Sequence, residues 1–456
     1  MLKTEKRAAV SLALIYAFRM IGLFMILPVF SLYAEQYQGA TPLLIGLAIG
    51  IYGLTQGLFQ LPFGFLSDRV GRKKMIVIGL LLFAAGSAVA ATAETIQQVV
   101  AGRALQGMGA IAAVVMALAA DLTREEVRVR VMASIGMSIG LAFMLSMIIG
   151  PVLASSIGMS GLFWVTGVLA LSSIVVLLFL TPNPVQERFH RDAEVSVSDI
   201  PRVLANRELL RLDLGVFILH LTLAGTFVLF PLVLRDQLAL PVARHWEVYL
   251  PVFVISIALM LPMIISAEKK ARMKPMFLLG ITLVLLSELG MGWFGNFWAL
   301  FAMLVLFFGG FNFLEASMPS LVSKIAPADR KGTAMGLFST AQFFGAFVGG
   351  TFGGSLLALG KPGLGFLLLA ILPALWLLVA VFMPKPRPVS TRLVSLSGWD
   401  PQAMQGFAEQ VRQLAGVREV AVFPEDEEAY LKVERGTYDE ESLKRLLQGE
   451  PLRTAQ

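Results

Sequence analysis

The sequence predicts an all-α polytopic membrane protein, with twelve transmembrane helices in two six-helix halves and a small α+β domain at the C-terminus. Three observations predict this fold class: an apolar composition, a succession of uncharged segments, and an internal repeat. Of the 456 residues, 57% are hydrophobic and 15% are charged, whereas a soluble domain is about half apolar and about a quarter charged. The apolar excess places most of the chain in a lipid bilayer.

Apolar segments of about 18 residues or more are typical of transmembrane helices, and they recur up to residue 383. We predict spans near residues 8–34, 41–66, 75–93, 97–120, 129–155, 161–181, 212–234, 245–267, 275–294, 297–323, 331–358 and 363–383. The first span follows three basic residues, as the core of a signal peptide would. It is far longer than the roughly 7–15 residues of such a core, so we expect it to be retained.

Basic residues lie in alternate loops between these spans. One set of loops holds most of them, and the other holds only Arg235, Arg244 and Lys361. Because basic loops stay cytoplasmic, we predict a multi-pass protein of the bacterial inner membrane with both termini in the cytoplasm. The last 66 residues carry 8 Lys and Arg against 12 Asp and Glu. The basic excess therefore belongs to the membrane part, and no nucleic-acid partner is indicated.

Two loops of the first half recur in the second half. "LPFGFLSDRVGRKKM" at 61–75 aligns with "LPMIISAEKKARMKP" at 261–275, an offset of 200 residues. "REEVRVRVMASIG" at 124–136 aligns with "APADRKGTAMGLF" at 326–338, an offset of 202. Two loops at nearly one offset indicate that six spans occur twice, which is the parallel repeat of twelve-helix secondary transporters.

The chain divides into four predicted parts: a first six-helix half at 1–183, a cytoplasmic linker at 184–211, a second half at 212–388, and a cytoplasmic domain at 389–456. The end of the linker has the spacing of an amphipathic helix on an anionic membrane surface. Its apolar positions are Ile200, Val203, Leu204 and Leu210, and its basic positions are Arg202, Arg207 and Arg211.

After residue 388 the pattern changes to that of a small α+β domain. A strand is predicted at 392–399, a helix at 400–417 with Asp400 as its N-cap, a hairpin at 418–435, and a helix at 437–449. The order β-α-β-β-α predicts a ferredoxin-like domain. The chain contains no cysteine, which excludes thiolate metal sites.

The loop "GFLSDRVGRKK" fits the pattern G-x-x-x-D-R-x-G-R-K through Gly64, Asp68, Arg69, Gly71, Arg72 and Lys73. This pattern resembles the signature loop of the major facilitator superfamily. Three further motifs resemble its drug:proton antiporter branch: "RMIGLFMILPVF" with Arg19, "GRALQGMGA" with Arg103 and Gln106, and "SMIIGPVLA" with Gly150 and Pro151. The last motif departs from the family pattern, because Ser146 and Ala154 stand where glycine is usual. With the appended domain, the whole chain resembles the YajR-type transporters.

The signature loop has two interpretations. In the first it is a conformational latch: Asp68 faces the start of the eleventh span near Gly332, and Arg69 and Arg72 pair with a carboxylate such as Asp121. A carboxylate at a helix N-terminus is stabilised by ~0.3–1 kcal/mol, or up to ~2 kcal/mol when partly buried. In the second interpretation the loop only sets topology, and Gly71 supplies a turn. The family resemblance favours the latch.

Four residues within the predicted spans are candidates for a proton and substrate cavity: Arg19, His220, Asn312 and Glu315. An ionisable side chain inside a membrane is costly and marks function by default. Glu315 is the best candidate proton carrier, and Asn312 lies one turn before it on the same helical face. The alternatives are a structural ion pair for Arg19, a substrate-contacting or merely paired Glu315, and a His220 that is only hydrogen-bonded across helices.

The resemblance implies roles for two further residues. Arg103, with Gln106 beside it, takes part in proton transfer in that branch of the family; the alternative is an arginine that reaches the membrane interface. Gly150 and Pro151 belong to the helix-packing motif of antiporters. Glu288 is expected to be structural or to lie at the rim of the cavity.

These observations predict a secondary transporter that exports a small, partly apolar compound in exchange for protons by alternating access. Its predicted partners are the substrate, protons and the lipid bilayer, and we expect a monomer without cofactor or metal. The C-terminal domain is expected to contact the protein's own inner loops or an unknown protein. No G-x-x-x-x-G-K-[ST] motif or hydrolase elbow is visible, so no enzyme activity is predicted. The alternatives are a facilitator or exporter of a polar metabolite such as a sugar, and a ligand sensor that signals through its C-terminal domain.

Overall fold

The computed structural model of the protein describes residues 1–184, 196–327, 330–385, 389–424, 427–434 and 437–447. The first half contains α1 (Lys3–Phe24), α2 (Phe30–Tyr33), α3 (Pro42–Val70), α4 (Arg72–Ala91), α5 (Ile96–Met108), α6 (Ala112–Asp121) and α7 (Glu125–Phe179). The linker contains α8 (Ile200–Leu204), and the second half contains α9 (Arg207–Leu232), α10 (Trp246–Lys269), α11 (Met273–Trp293), α12 (Phe297–Ile325), α13 (Lys331–Leu357) and α14 (Pro362–Val381). The C-terminal domain contains β1 (Val389–Ser395), α15 (Pro401–Arg412), β2 (Val417–Phe423), β3 (Glu428–Glu434) and α16 (Glu440–Leu447).

Capping side chains and glycine fix where the helices begin and end. Thr41 accepts a hydrogen bond from a backbone N–H at the start of α3, and Pro42 takes the first position. Thr95 and Gln98 form a capping box at the start of α5. Both arrangements satisfy N–H groups that have no partner within the helix. Gly71, with a φ of 101° that favours glycine, separates α3 from α4 without a loop.

Ten helical segments among the described residues are long and apolar enough to cross a membrane. Helix α7 is one of them, although it has 55 residues and Gly158 interrupts it with a φ of 67°. Ser146 before this glycine and Thr166 after it both donate to one turn of α1, to the carbonyls of Ile21 and Gly22. The two parts of α7 therefore run back alongside each other, and the chain reverses at Gly158. Helix α13 has 27 residues and is not among the ten, since glycine, serine and threonine lower its hydropathy.

The two halves meet where α3 packs against α13. We call the end of the bundle at the start of α3 the Pro42 end, and the opposite end the Arg72 end. A Cβ atom on Gly50 would lie 2.5 Å from the carbonyl oxygen of Phe347, and one on Gly53 would lie 2.5 Å from that of Phe343. At Gly57 the separation has grown to an ordinary 3.6 Å, and a Cβ on Gly64 would meet no atom of α13 within 4 Å. The halves therefore touch at the Pro42 end and diverge toward the Arg72 end.

The C-terminal domain has the predicted β-α-β-β-α order. Its sheet has the order β1–β3–β2, and both strand pairs are antiparallel, with Val389 opposite Glu434 and Val417 opposite Val433. Asp400 accepts a hydrogen bond from the backbone of α15, which confirms the predicted N-cap. Of the strands in a ferredoxin-like fold, the described residues contain three.

The linker differs from the predicted amphipathic helix. In place of one helix, the described residues contain the five-residue α8, and Asn206 then caps the separate helix α9. Helix α9 begins at Arg207, ahead of the predicted start of the span at 212. The break occurs because the Asn206 side chain accepts hydrogen bonds from two N–H groups of α9, which starts a new helix instead of continuing α8. Residues 185–195 of the linker lie outside the described residues.

Replacing Gly50 by leucine is expected to lower the stability of the protein by about 1–3 kcal/mol, because the new side chain meets the backbone of α13. The thermal unfolding midpoint in detergent measures the change. Gly136→Leu is the control: a Cβ there would meet nothing within 4 Å, so its midpoint should stay close to that of the wild type. Equal midpoints for Gly50→Leu and the wild type would contradict the close contact.

Candidate functional site

Three polar side chains of the second half meet within the bundle, and we call them the central cluster: His220 on α9, Glu315 on α12 and Gln342 on α13. The Gln342 amide nitrogen lies 2.8 Å from His220 Nε2 and donates to Glu315 Oε1 at 3.1 Å. The His220 Nε2 and Glu315 Oε2 atoms are 3.7 Å apart. The side chain of His220 is 12% exposed and that of Glu315 is 38% exposed, so Glu315 is the more exposed of these two.

The hydrogen bonds of the central cluster define the proton positions on His220. Its Nδ1 atom lies 3.1 Å from the carbonyl oxygen of Val216. Because a carbonyl only accepts hydrogen bonds, Nδ1 carries the proton. The other ring nitrogen, Nε2, is then the acceptor for the amide of Gln342 in the neutral imidazole. Glu315 keeps Oε2 without a hydrogen-bond partner, so the cluster has room for one more proton.

Phenylalanine side chains surround the central cluster on the side of the first half. The ring of Phe311, one turn before Glu315, lies 5.7 Å from His220. Phe143 of α7 lies 6.4 Å from Phe311 and 5.5 Å from Phe253 of α10. These rings join the two halves by apolar contact. The surroundings of the cluster are therefore aromatic.

Arg19 of α1 lies within the first half, away from the central cluster, and is fully buried. Its Nη2 atom donates to the Tyr52 hydroxyl at 3.0 Å, to Gln56 Oε1 at 2.6 Å and to the Gly109 carbonyl at 2.8 Å. The structural ion pair considered as the alternative for Arg19 is not found, because none of its acceptors is a carboxylate.

Arg103 and Gln106 form a second polar group in the first half. The Arg103 guanidinium donates to Gln106 Oε1 at 2.9 Å and to the Ala48 carbonyl at 3.3 Å, and it lies 5.1 Å from the centre of the Tyr52 ring. The Gln106 amide donates to the Ser87 hydroxyl at 2.8 Å. Arg103 is buried, which excludes the alternative of a side chain at the membrane interface in this structure.

The signature loop forms a cluster of ion pairs at the Arg72 end. Arg72 Nε lies 3.3 Å from Asp121 Oδ2, its Nη1 donates to the Ser67 hydroxyl at 2.7 Å, and Asp68 also pairs with Nη1. The side chains of Arg72 and Asp121 are 2% and 0% exposed, whereas that of Asp68 is 36% exposed. The pairing of Arg72 with Asp121 agrees with the predicted contact.

Other residues of the signature loop have different positions from those predicted. Arg69 is exposed and forms no ion pair within the described part of the chain. Lys73 donates to the carbonyls of Thr181 and Leu177 at the end of α7, at 2.6 and 3.4 Å. The predicted contact of Asp68 with the second half is not formed, since Asp68 pairs within its own half. The divergence of α3 and α13 at this end accounts for the difference.

The helix-packing motif lies against α1. A Cβ on Gly150 would lie 2.6 Å from the carbonyl oxygen of Met25, so only glycine permits this approach, and the neighbouring Pro151 is buried. Ser146 and Ala154, which replace the usual glycines, are also buried. The motif therefore packs helices tightly in spite of its two departures from the family pattern.

The structure separates the predicted cavity residues into groups. His220 and Glu315 belong to one cluster, whereas Asn312 donates to Ser256 of α10 at 3.2 Å. Sequence reasoning missed Gln342, Tyr52 and Gln56. Both glutamines could have been found from the sequence, because each is an amide side chain within a predicted span. A polar group inside a bilayer needs a partner.

Glu288 of α11 is fully buried and is not at a cavity rim. Its Oε1 atom accepts a hydrogen bond from the Thr226 hydroxyl at 2.7 Å, and its Oε2 atom has no partner. The described residues contain no group of three or more His, Cys, Asp or Glu side chains that could hold a metal ion.

Comparison with known sequences decides the family. The sequence model of the Major Facilitator Superfamily matches residues 12–350 and 252–422. The chain belongs to this superfamily. It is a membrane transporter, and a small-molecule substrate and the lipid bilayer are its partners. The resemblance predicted from the signature loop is thus confirmed.

Individual relatives extend this result. The chain is 42% identical to the inner membrane transport protein YajR of Escherichia coli (strain K12), over 94% of each chain, which confirms the YajR-type resemblance. It is 27% identical to the multidrug resistance protein MdtH of Photorhabdus laumondii, over 77% of this chain and 88% of that protein. A bacterial homolog of the human lysosomal transporter Spinster, solved in an inward-facing conformation, has the same fold, with a TM-score of 0.64, 15% identity, and coverage of 84% and 95%.

Replacing Asp121 by asparagine is expected to destabilise the protein by about 1–3 kcal/mol, because Arg72 would lose its buried carboxylate partner while Asp68 and Ser67 remain bonded to it. Chemical unfolding in detergent, followed by circular dichroism, measures the loss. Asp68→Asn serves as the control and should cost at most about 1 kcal/mol, since Asp68 is the exposed partner of the same arginine. A larger effect of Asp68→Asn than of Asp121→Asn would contradict the assignment of Asp121 as the structural partner.

Proposed function

We propose that this transporter exports a small, partly apolar compound in exchange for protons, by alternating access. The observation that carries the proposal is the central cluster, in which one amide joins a carboxylate to an imidazole inside the bundle. Ionisable groups at such depth mark proton relays and substrate pathways. The multidrug resistance named for the MdtH relatives supports export of a partly apolar compound.

The proposed topology has twelve spans and cytoplasmic termini, in the inner membrane of a bacterium. The reversal of α7 at Gly158 supports two spans in that helix, and the packing of α13 between α3 and α9 supports a span there. The basic loops lie at the Arg72 end, which the positive-inside rule assigns to the cytoplasm. In this topology the structure is an inward-facing state, closed to the outside by the contact between α3 and α13.

A proton that enters the central cluster changes its hydrogen bonds. Neutral His220 accepts from Gln342 at Nε2, whereas protonated His220 donates there. The amide N–H of Gln342 then loses its acceptor, and Glu315 Oε2, 3.7 Å from Nε2, becomes the partner of the ring. Because Gln342 is on α13, protonation acts directly on the helix that closes the Pro42 end. This contact supports coupling between proton binding and the conformational change.

The phenylalanine rings near the central cluster support a partly apolar substrate. A compound that enters from the Arg72 end would meet the partly exposed side chain of Glu315 and the ring of Phe311 one turn away. Apolar and aromatic walls with a few polar groups are typical of small-molecule sites. A bound substrate and a bound proton would compete for Glu315, as exchange requires.

The latch at the Arg72 end belongs to the opposite, outward-facing state in this proposal. The Arg72–Asp121 pair holds the turn at Gly71 in place, so that Asp68 remains presented toward the second half. In the present state the linker lies at the start of α13 instead: the backbone N–H of Ser196 donates to the Thr333 hydroxyl at 2.9 Å, and Asp199 pairs with Arg330 at 3.2 Å. Closing the Arg72 end would bring Asp68 to this helix start.

The C-terminal domain is proposed to rest on the second half of a monomer. Lys432 of β3 donates to the carbonyl oxygens of Ile325, at 3.3 Å, and of Ala326, at the end of α12. A lysine at a helix C-terminus complements the negative end of the helix dipole. Lys432 is also paired with Glu419 at 3.2 Å. These contacts favour the protein's own inner loops over another protein as the binding partner of the domain.

Replacing Glu315 by glutamine is expected to abolish substrate-driven proton movement in proteoliposomes with an imposed pH gradient. The assay challenges the vesicles with a panel of lipophilic cations and sugars and records the pH inside. Active compounds should collapse the gradient with the wild type and with the control Glu268→Gln, whose carboxylate lies at the Arg72 end beside Lys324.

Two outcomes of this experiment would overturn the proposal. Flux of a compound without proton movement would assign the protein as a facilitator. Binding of a compound without flux would assign it as a sensor. If active compounds collapsed the gradient as fast with Glu315→Gln as with the wild type, antiport would still be supported. The role of the central cluster in it would be contradicted.

A further inference from the structure

The guanidinium of Arg19 is only partly satisfied. Its Nη2 atom serves all three acceptors, Tyr52, Gln56 and the Gly109 carbonyl, and each of these groups is neutral. Its Nε and Nη1 atoms are buried and have no hydrogen-bond partner. Only the Nη2 atom of the guanidinium therefore has hydrogen-bond partners. Unsatisfied donors on a charged, buried group are costly.

No carboxylate among the described residues compensates the charge of Arg19. Three carboxylates of the first half lie at its Arg72 end, and each is paired with another arginine: Glu5 with Arg124, and Asp68 and Asp121 with Arg72. The ring of Phe83, 5.6 Å from the guanidinium, contributes only a cation–π contact. A buried cation without a paired anion is disfavoured unless a negative partner is supplied.

A third unsatisfied donor lies beside the same guanidinium. Gln56 accepts from Arg19 through Oε1 at 2.6 Å, and its amide nitrogen, Nε2, is buried without a partner. Arg103 adds positive charge nearby, since its guanidinium lies over the ring of Tyr52, whose hydroxyl binds Arg19. The group thus offers hydrogen-bond donors and positive charge, and it lacks a negatively charged acceptor.

We infer that Arg19 and Gln56 form a binding site for a small monovalent anion. Charge-assisted hydrogen bonds from a guanidinium suit a carboxylate or a halide, so the anion is either an inorganic ion or the carboxylate of a transported compound. The site is in the first half and is separate from the central cluster of the second half. It goes beyond the proposed function, because anion binding here does not depend on coupling to protons.

The test measures the thermal unfolding midpoint of the full chain in lipid nanodiscs as chloride or acetate is added, with the ionic strength kept constant by Tris–HEPES. The wild type should show a saturable rise of the midpoint, as expected for a ligand that binds the native state. Arg19→Gln should weaken the apparent affinity about tenfold or more, because a charge-assisted hydrogen bond is lost.

A second variant keeps the test valid if Arg19→Gln fails to fold. Gln56→Glu places a carboxylate beside the guanidinium, so this variant should be at least as stable as the wild type without added anion and should lose the response to it. Arg7→Gln is the matched control: it removes another arginine of α1, whose nitrogens donate to the carbonyls of Leu180 and Phe179, and the anion response should persist.

The two anion sources are distinguished by the same titrations. A response to chloride alone identifies an inorganic ion. A response to acetate that transported compounds suppress identifies a substrate carboxylate. The absence of any saturable response in the wild type, a full response in Gln56→Glu, or a lost response in Arg7→Gln would overturn the assignment of the site to Arg19 and Gln56.

Discussion

The close contact between α3 and α13 is the constraint on which the rest of the structure depends. In a bilayer, helices associate through van der Waals packing, and glycine allows their backbones to approach. The approach at Gly50 and Gly53 joins the two halves at the Pro42 end and leaves them apart at the Arg72 end. The same two helices hold the polar groups of interest, since Gln56 is on α3 and Gln342 is on α13. A change at either polar group therefore acts on a helix of this contact.

Among the described residues, the two halves enclose different ionisable side chains without a charged partner: arginines in the first half and carboxyl groups in the second. The first half encloses the guanidinium groups of Arg19 and Arg103, whose acceptors are neutral. The second half encloses Glu288, whose donor among the described residues is the Thr226 hydroxyl, and holds Glu315 beside His220. Ionisable side chains are costly inside a bilayer and mark functional sites by default. This asymmetry distinguishes the halves more clearly than their shared repeat does.

Much of this fold and part of the site could be predicted from the sequence. Apolar segments and the repeat predicted a helical membrane transporter, and the position of Asp121 at the end of its span predicted an ion pair with Arg69 or Arg72, of which Arg72 forms it. His220 and Glu315 were predicted because an ionisable residue is conspicuous in an apolar segment. Gln342 was missed, since the glycine and serine residues around it already make this helix less apolar than the other spans, and one more polar residue does not stand out.

Other features depend on information that a single sequence does not contain. Asp68 pairs with Arg72 of its own half in this structure, and a single sequence does not specify which conformation is observed. The linker has only the short α8 because Asn206 caps a new helix directly after it. The amphipathic spacing by itself predicted one longer helix. Asn312 shares a helical face with Glu315, as predicted, yet bonds to Ser256 because α10 supplies a nearer partner.

The most direct test of the account measures distances between spin labels placed at or next to the ends of α3 and α13, at both ends of the bundle. The chain has no cysteine, so introduced pairs are unique: Thr41 with Leu359 at the Pro42 end, and Val70 with Lys331 at the Arg72 end. Distances in nanodiscs at acidic and neutral pH should change in opposite directions at the two ends, and Glu315→Gln should abolish the dependence on pH. Distances that stay fixed, or that lengthen together, would contradict alternating access controlled by the central cluster.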